Sequence, residues 1–213
     1  TLRPRHVVFA TGVSAIPIMP DLPGQADFYG PILHSGAYAE GHAWRGKRAL
    51  VLGTGNSGHD VAQDLHGAGA HVTMIQRSPT YVVSLREAQA VYAIYTEGLP
   101  IEDCDLLAIA MPTPVLTDAY RLATAASERA DAPLLEGLER AGFRLEKSDG
   151  TGFQMMYLRR GGGYYFNVGA SDLIINGAVG LVQHDRVDRM VADGVRLKDG
   201  TVLPADVMVA ATG

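Results

Sequence analysis

The chain has 213 residues, 18 Lys and Arg against 23 Asp and Glu, and a formal net charge of -5. A hydrophobic content of 47% excludes a disordered chain, and the acidic balance excludes a broad basic surface for nucleic acid. The single cysteine, Cys104, excludes a disulfide framework within the chain, and no apolar run reaches the roughly 20 residues that cross a bilayer. We therefore expect a soluble, cytoplasmic protein with no metal site, no nucleic-acid partner and no membrane partner.

The first predicted element is a short buried strand, His6-Val7-Val8-Phe9-Ala10, which ends at Thr11-Gly12. A strand so near the first residue suggests a chain that starts within a fold. Residues 16–31 contain four prolines, which exclude a regular helix and indicate an extended connector.

The clearest unit lies between residues 48 and 76. The apolar run 48–52 predicts a buried parallel strand, and residues 71–76 predict a second one. Between them, Val61, Ala62, Leu65 and Ala68 fall on one face of a helix. A strand, turn, helix and strand within about 30 residues are typical of a parallel crossover unit.

The rest of the chain predicts two further features. Residues 85–143 indicate helices interrupted by prolines, and Asp193-Gly194 and Asp199-Gly200 indicate hairpin turns between short strands. A last strand from Asp206 ends in Ala-Thr-Gly. The predicted fold class is therefore α/β: a Rossmann-like parallel sheet with helices on both faces, a helical insertion at about 83–145 and an antiparallel β-meander.

The segment Gly53-Thr54-Gly55-Asn56-Ser57-Gly58 fits the pattern GxGxxG between a strand and a helix, which is typical of a dinucleotide-binding loop. Gly53 allows the sharp turn, Gly55 leaves room for a pyrophosphate, and Gly58 lets the helix pack closely on the strand. Unpaired N–H groups and the positive end of the helix dipole would face the anion, and Ser57 adds a hydroxyl donor. The alternative is a purely structural turn.

The end of the second strand distinguishes between nucleotides. A site for NAD carries Asp or Glu there, which accepts hydrogen bonds from the ribose 2′-OH. This chain has Gln76-Arg77-Ser78-Pro79-Thr80 instead. Arg77 can pair with a 2′-phosphate, and Ser78 and Thr80 can donate hydrogen bonds to it. We therefore predict NADP(H) rather than NAD(H); the alternative is a solvated surface arginine.

Four segments resemble the flavin-containing monooxygenases, the class B flavoprotein monooxygenases. Residues 28–38, FYGPILHSGAY, match the family fingerprint FxGxxxHxxx(F/Y), and the loop GxGNSGxD through Asp60 is similar to the family's NADPH loop. The two Ala-Thr-Gly strand ends, at 10–12 and 211–213, resemble the linkers between flavin and nicotinamide domains. Residues 162–169 resemble a segment of a bacterial and fungal subgroup.

This resemblance implies an oxidoreductase in which NADPH reduces FAD, and the reduced flavin passes one oxygen atom of O2 to a small-molecule substrate. The substrate is expected to be a soft nitrogen or sulfur nucleophile. Tyr38-Ala39 at the end of the fingerprint favours this branch over the Baeyer–Villiger enzymes, which have Trp followed by Pro or Asp. No catalytic residue is assigned in this chain.

The family's FAD-binding GxGxxG lies before the first linker, and nothing precedes Thr1 in this sequence. The resemblance therefore implies a missing flavin domain, FAD bound only by the complete enzyme, and a chain that is inactive alone. Residues 1–47 are predicted to be the linker and fingerprint segment, a remnant of the flavin-domain junction, and residues 48–213 the NADP(H)-binding domain. Connector strands left without their flavin domain would favour self-association into a homo-oligomer.

Two histidines are notable. His34, within the fingerprint, is a candidate nucleotide-binding residue that could couple the connector to bound NADP(H), or it is a hydrogen-bonded connector residue that fixes the hinge. His59 is expected on the first turn of the helix, either exposed or beside the phosphate.

Two other functions remain open. One is a fragment of a pyridine-nucleotide disulfide reductase, which shares the two-domain plan and would need a CxxxxC pair. The other is a non-enzymatic module that binds NADP.

Overall fold

The computed structural model describes residues 3–9, 16–147 and 149–213. In these ranges the chain forms ten strands: β1 Ile32–His34, β2 Arg48–Leu52, β3 His71–Gln76, β4 Tyr81–Ser84, β5 Tyr164–Asn167, β6 Gly180–Gln183, β7 Val187–Val191, β8 Gly194–Leu197, β9 Val202–Pro204 and β10 Val207–Ala210. It also forms seven α-helices: α1 Asn56–Gly67, α2 Leu85–Ala88, α3 Ile101–Ala110, α4 Thr113–Ala130, α5 Ala132–Arg140, α6 Gly152–Arg160 and α7 Ala170–Ile175. Among the short 3-10 segments are Gln25–Asp27 and Gln89–Thr96.

Five parallel strands form the central sheet, in the order β1-β10-β2-β3-β6. The predicted crossover unit is present, because β2 leads through α1 into β3, and these strands pair directly. Since all five strands run the same way, their carboxyl ends lie at one edge of the sheet, where ligands bind in open α/β folds.

Side chains alternate between the two faces of the sheet, as the pleat requires. Ala49 and Val51 of β2 pack with α1 and with residues of α5 and α7 in one core cluster. Leu50 and Leu52 face the opposite way and pack against Met190 and other residues of the antiparallel sheet β7-β8-β9. The predicted α/β class and β-meander are confirmed, and the meander covers one face of the parallel sheet.

The predicted helical region between the two halves of the sheet is confirmed, with α2 to α5 following one another from Leu85 to Arg140. Its prolines begin helices rather than break them. Pro100 and Pro112 are the N-caps of α3 and α4, and Pro133 lies in the first turn of α5. This placement costs little because the first N–H groups of a helix have no partner within it. No helix in the described ranges has the length and apolar character to span a bilayer.

A second parallel pair, β4 with β5, was not predicted. Tyr81–Ser84 directly follows the segment that contains Arg77, and its partner strand begins after the Gly161-Gly162-Gly163 turn. The pair brings two regions more than 80 residues apart in sequence against the start of α1, as described below.

The predicted strand at the start of the chain is wrong for the residues that the structure describes. His6 to Phe9 are not in a strand, and Val7, Val8 and Phe9 are 67%, 85% and 87% exposed. A short apolar segment becomes a strand only where a neighbour completes its hydrogen bonds, and none of the described strands pairs with this one. Ala10 and the first Ala-Thr-Gly, residues 10–12, lie outside the described residues.

One carboxylate fixes the amino ends of two central strands. Asp206, just before β10, accepts hydrogen bonds from the Arg48 backbone N–H at 2.8 Å and from its guanidinium Nε and Nη2 at 3.1 and 2.8 Å. These bonds from Arg48 lower the pKa of Asp206 below its usual range. Because this pKa is lowered by folding, the carboxylate contributes stability above its unfolded-state pKa and loses that contribution as the pH falls below it.

We expect Asp206→Asn to reduce the free energy of unfolding by about 1 kcal/mol at pH 7, since the group is partly exposed and its charge is partly screened. Below about pH 4, where an unfolded Asp is protonated, the difference between the variant and the original chain should shrink. Urea titrations at several pH values measure both effects. Asp188→Asn, which removes an exposed ion pair to Arg196 in the meander, is the control and should change stability less. If the difference in unfolding free energy between Asp206→Asn and the original chain stayed constant from pH 7 to pH 3, the stabilising role of the Asp206 charge would be contradicted.

Candidate functional site

The predicted site residues lie where three parallel strands end. Gly53 follows β2, Arg77 follows β3, and His34 is the last residue of β1. Strand β10 lies between β1 and β2, so His34 is two strand spacings, roughly 10 Å, from the glycine loop in the plane of the sheet. The sheet therefore brings Gly53 and Arg77 to neighbouring strands and leaves His34 further along the same edge.

The three glycines of the loop are needed for different physical reasons. Gly53 has φ +117°, and a Cβ there would meet the Ala211 carbonyl oxygen at 2.4 Å. A Cβ at Gly58 would lie 2.3 Å from the Gly53 carbonyl oxygen. At Gly55, by contrast, the nearest atom to an added Cβ is the Tyr164 carbonyl oxygen at 3.8 Å. Gly53 and Gly58 are therefore required by the protein's own packing, whereas Gly55 leaves space open.

The amino end of α1 is free of side-chain caps. Gly55 is the N-cap residue and no described side chain caps the helix, so the N–H groups of its first turn remain available to an anion. Ser57 is exposed. Asn56 faces inward: its Oδ1 accepts a hydrogen bond of 2.9 Å from the backbone N–H of Phe166 in β5.

Arg77 and Ser78 are both exposed immediately after β3. Arg77 takes part in none of the ion pairs found in the described ranges, so its charge is not neutralised by a neighbouring carboxylate there. A guanidinium of this kind can bind a phosphate without first breaking an internal pair.

Thr80 lies in the interior rather than on the surface. It is 3% exposed, and its hydroxyl lies 2.7 Å from that of Thr54, which is 5% exposed. The two hydroxyls link the glycine loop to the segment that contains Arg77. Of the three residues predicted to contact a 2′-phosphate, Arg77 and Ser78 are thus the exposed ones.

His34 is held by hydrogen bonds on both ring nitrogens. Its Nδ1 accepts from the Gly36 backbone N–H at 3.0 Å, so the proton belongs on Nε2, which donates to the Gly213 carbonyl oxygen at 3.1 Å. Tyr38, at the end of the same fingerprint, donates to Asp64 of α1 at 2.7 Å. Burial and the hydrogen bond to Asp64 raise the pKa of Tyr38. These contacts favour the interpretation of His34 as a connector residue.

The expected exposure of His59 is wrong. The residue lies on the first turn of α1, but its ring is 0% exposed and stacks on Tyr165 at a centroid distance of 3.7 Å and an angle of 4°. Its Nδ1 lies 3.0 Å from the Gly55 carbonyl oxygen. Burial lowers the pKa of His59 to about 4, so the ring is neutral. The sequence contained a signal for this burial. His59 lies three residues before Ala62, so both residues fall on the apolar face of α1.

The burial and the hydrogen bonds of Gln76 were also not predicted from the sequence. This last residue of β3 is 0% exposed. Its Nε2 donates to the Arg144 carbonyl oxygen at 2.9 Å and its Oε1 accepts from the Arg144 N–H at 2.8 Å. Its side chain therefore pairs with the backbone of a segment 68 residues away. No local pattern predicts such a contact.

The described residues do not support a metal site or a reactive cysteine. The described residues contain no group of three or more His, Cys, Asp or Glu side chains that could hold a metal ion. Cys104 is 0% exposed and its thiol donates to the Ile94 carbonyl oxygen at 3.4 Å.

Known proteins with similar sequences include monooxygenases. A family profile described as pyridine nucleotide-disulphide oxidoreductase matches residues 1–95. An indole-3-pyruvate monooxygenase of Oryza sativa subsp. japonica, YUCCA1, is 32% identical over 100% of this chain. The FAD-containing monooxygenase EthA of Mycobacterium tuberculosis is 30% identical over 91% of the chain. The chain spans 47% and 40% of these two relatives, less than half of each.

The fold is also found among solved structures. Cyclohexanone monooxygenase from Rhodococcus sp. Phi1, in a crystal structure with NADP⁺, matches 96% of this chain and 45% of its own length, with a TM-score of 0.62 and 22% identity. At that identity the likeness shows a common fold. The sequence matches along most or all of this chain confirm the resemblance drawn from the fingerprint: this chain is similar in sequence to flavin monooxygenases.

Proposed function

We propose that this chain is the NADP(H)-binding portion of a flavin-dependent monooxygenase. The observation that carries the proposal is the amino end of α1, free of side-chain caps, beside Arg77, which directly follows the neighbouring strand β3 and forms no ion pair within the described ranges. A dinucleotide with a 2′-phosphate presents two anionic groups, and these two features would each bind one of them.

The pyrophosphate would bind at the glycine loop. Gly55 leaves its surroundings open, and the first-turn N–H groups of α1 supply donors at the positive end of the helix dipole. Ser57 adds an exposed hydroxyl. The side chains of Asn56 and Thr54 would position the loop rather than contact the ligand, since they bond to Phe166 and Thr80.

The 2′-phosphate would bind at Arg77 and Ser78. The acidic residue that selects a free ribose hydroxyl is replaced by Gln76, whose amide is occupied by the Arg144 backbone. NADP(H) is therefore favoured over NAD(H). This agrees with the NADP⁺ in the solved cyclohexanone monooxygenase, although that protein shares only the fold.

Bound NADPH would supply hydride for the reduction of FAD, and the monooxygenase names of the relatives support an oxygenated product in the complete enzyme. The contribution of this chain is to bind and orient the dinucleotide. A soft nitrogen or sulfur nucleophile remains our proposed substrate class, on the strength of Tyr38-Ala39 in the fingerprint.

A disulfide reductase is the second candidate, since the matching profile is described by that activity. The relatives that match along most or all of the chain are monooxygenases, and the one cysteine of this sequence is buried. We therefore prefer the monooxygenase.

Arg77→Ala should weaken NADPH binding several-fold or more and leave NADH binding nearly unchanged, because only NADPH carries the 2′-phosphate. Isothermal titration with both nucleotides measures the two affinities. Arg86→Ala removes another exposed arginine close in sequence and serves as the matched control. Equal losses for NADPH and NADH in the Arg77 variant would refute the 2′-phosphate role.

Three glycine variants separate packing from ligand access. Gly55→Ala should fold normally and bind both nucleotides more weakly, since the added methyl group would meet no protein atom closer than 3.8 Å but would face the pyrophosphate. Gly58→Ala should lower the free energy of unfolding by about 1–3 kcal/mol through its clash with Gly53. Gly67→Ala, where the methyl group meets nothing within 4 Å, is the control for both. Thermal melts and nucleotide titrations would be compared, and unchanged binding by Gly55→Ala would argue against the assigned position of the pyrophosphate.

We further propose that FAD is not retained by this chain alone, because its one GxGxxG is the loop assigned to NADP(H). The purified protein should be colourless, and NADPH should bind without added flavin. A visible absorption spectrum typical of flavin, retained after gel filtration, would contradict this assignment.

A further inference from the structure

His59 is a buried polar residue that the proposed site does not use directly. Its ring stacks on Tyr165, at a centroid distance of 3.7 Å, and contacts Phe143 in a tilted arrangement at 5.9 Å. A core position of this shape could be filled by an aromatic hydrocarbon. Instead the chain buries an imidazole whose Nε2 has no hydrogen-bond partner among the described residues, which costs free energy.

The benefit of the imidazole lies at its other nitrogen. Because the ring is neutral, it carries one proton, and the Gly55 carbonyl oxygen 3.0 Å from Nδ1 requires that proton on Nδ1. The same carbonyl accepts the backbone N–H of His59 at 3.1 Å. The backbone bond is the ordinary first hydrogen bond of α1, and the imidazole adds a second donor from the same residue to the Gly55 carbonyl.

The orientation of this carbonyl determines the orientation of the next N–H. In a planar trans peptide the C=O and N–H groups point in opposite directions. Because the Gly55 carbonyl points into α1, toward His59, the Asn56 N–H of the same peptide points the opposite way, out of the amino end of the helix. The hydrogen bond from Phe166 to the Asn56 side chain holds the same residue against β5.

We propose that His59 is a positioning residue that orients the Asn56 N–H toward the pyrophosphate of the dinucleotide, by fixing the Gly55 carbonyl from inside the protein. This inference rests on the proposed binding of NADP(H) at the glycine loop. It assigns the stack with Tyr165 a supporting role, which is to hold the imidazole in place.

Two substitutions separate the donor from the stack. His59→Asn keeps an N–H donor near the position of Nδ1 and loses the ring, whereas His59→Phe keeps a ring for stacking and loses the donor. We expect His59→Phe to weaken NADPH and NADH equally, by about tenfold, because both carry the pyrophosphate. His59→Asn should stay within about threefold of the original chain. Melting temperatures, measured in parallel, report the purely structural cost of each change.

If His59 were only a packing residue, His59→Phe would bind both nucleotides as tightly as the original chain, and this result would overturn the inference. Arg77→Ala distinguishes the two proposals, since it should affect NADPH alone. Absence of NADPH binding by the unaltered chain would instead refute the proposed function itself.

A measurement on the unaltered chain does not depend on whether a variant folds. In an amide NMR spectrum, titration with inorganic pyrophosphate should shift the signal of Asn56 more than that of Gly67 at the far end of α1. An Asn56 signal that stays in place while other first-turn amides shift would overturn the role of His59.

Discussion

The contact between Gly58 and the Gly53 carbonyl is the constraint on which the site depends. An added Cβ at Gly58 would lie 2.3 Å from that oxygen, so the first turn of α1 is pressed directly against the end of β2. Ala211 also lies against this end of β2, where its carbonyl oxygen would meet a Cβ at Gly53. Backbone therefore packs on backbone at this point. Any side chain there would move the helix and with it the amide groups that face the open space.

Contacts beyond the loop relate the helix start to the arginine. The Thr54 and Thr80 hydroxyls join the loop to the segment after β3, and the strand that follows this segment pairs with β5. The β5 strand in turn contacts α1 through Asn56 and through the stack of Tyr165 on His59. The loop, the Arg77 segment and β5 thus form a closed set of contacts. Such a frame would hold the two proposed anion-binding positions at a fixed separation, which would reduce the entropy lost when a ligand binds both.

The sequence predicted the parts of this arrangement that depend on local rules. Strand and helix periodicity located β2, α1 and β3, and Asp-Gly pairs located the hairpins of the meander, because each signal lies within a few residues. The pair β4-β5, the burial of Thr80 and the Gln76 amide bonds depend on partners far along the chain, so no local pattern revealed them. In the opening segment, residues 6–9, a local pattern predicted an element that the structure does not contain. Its residues favour a strand, but a strand also needs a neighbour, which local composition does not supply.

The position of β10 has a consequence for how the domain is built. This strand is the last of those described along the chain, yet it lies inside the sheet, between β1 and β2. During synthesis on the ribosome, β1 and β2 therefore have no common neighbour until about 175 residues after β1 have been made. The sheet is closed late, by long-range pairing that is intrinsically slow. Until then the edge of β2 that pairs with β10 lacks its partner strand.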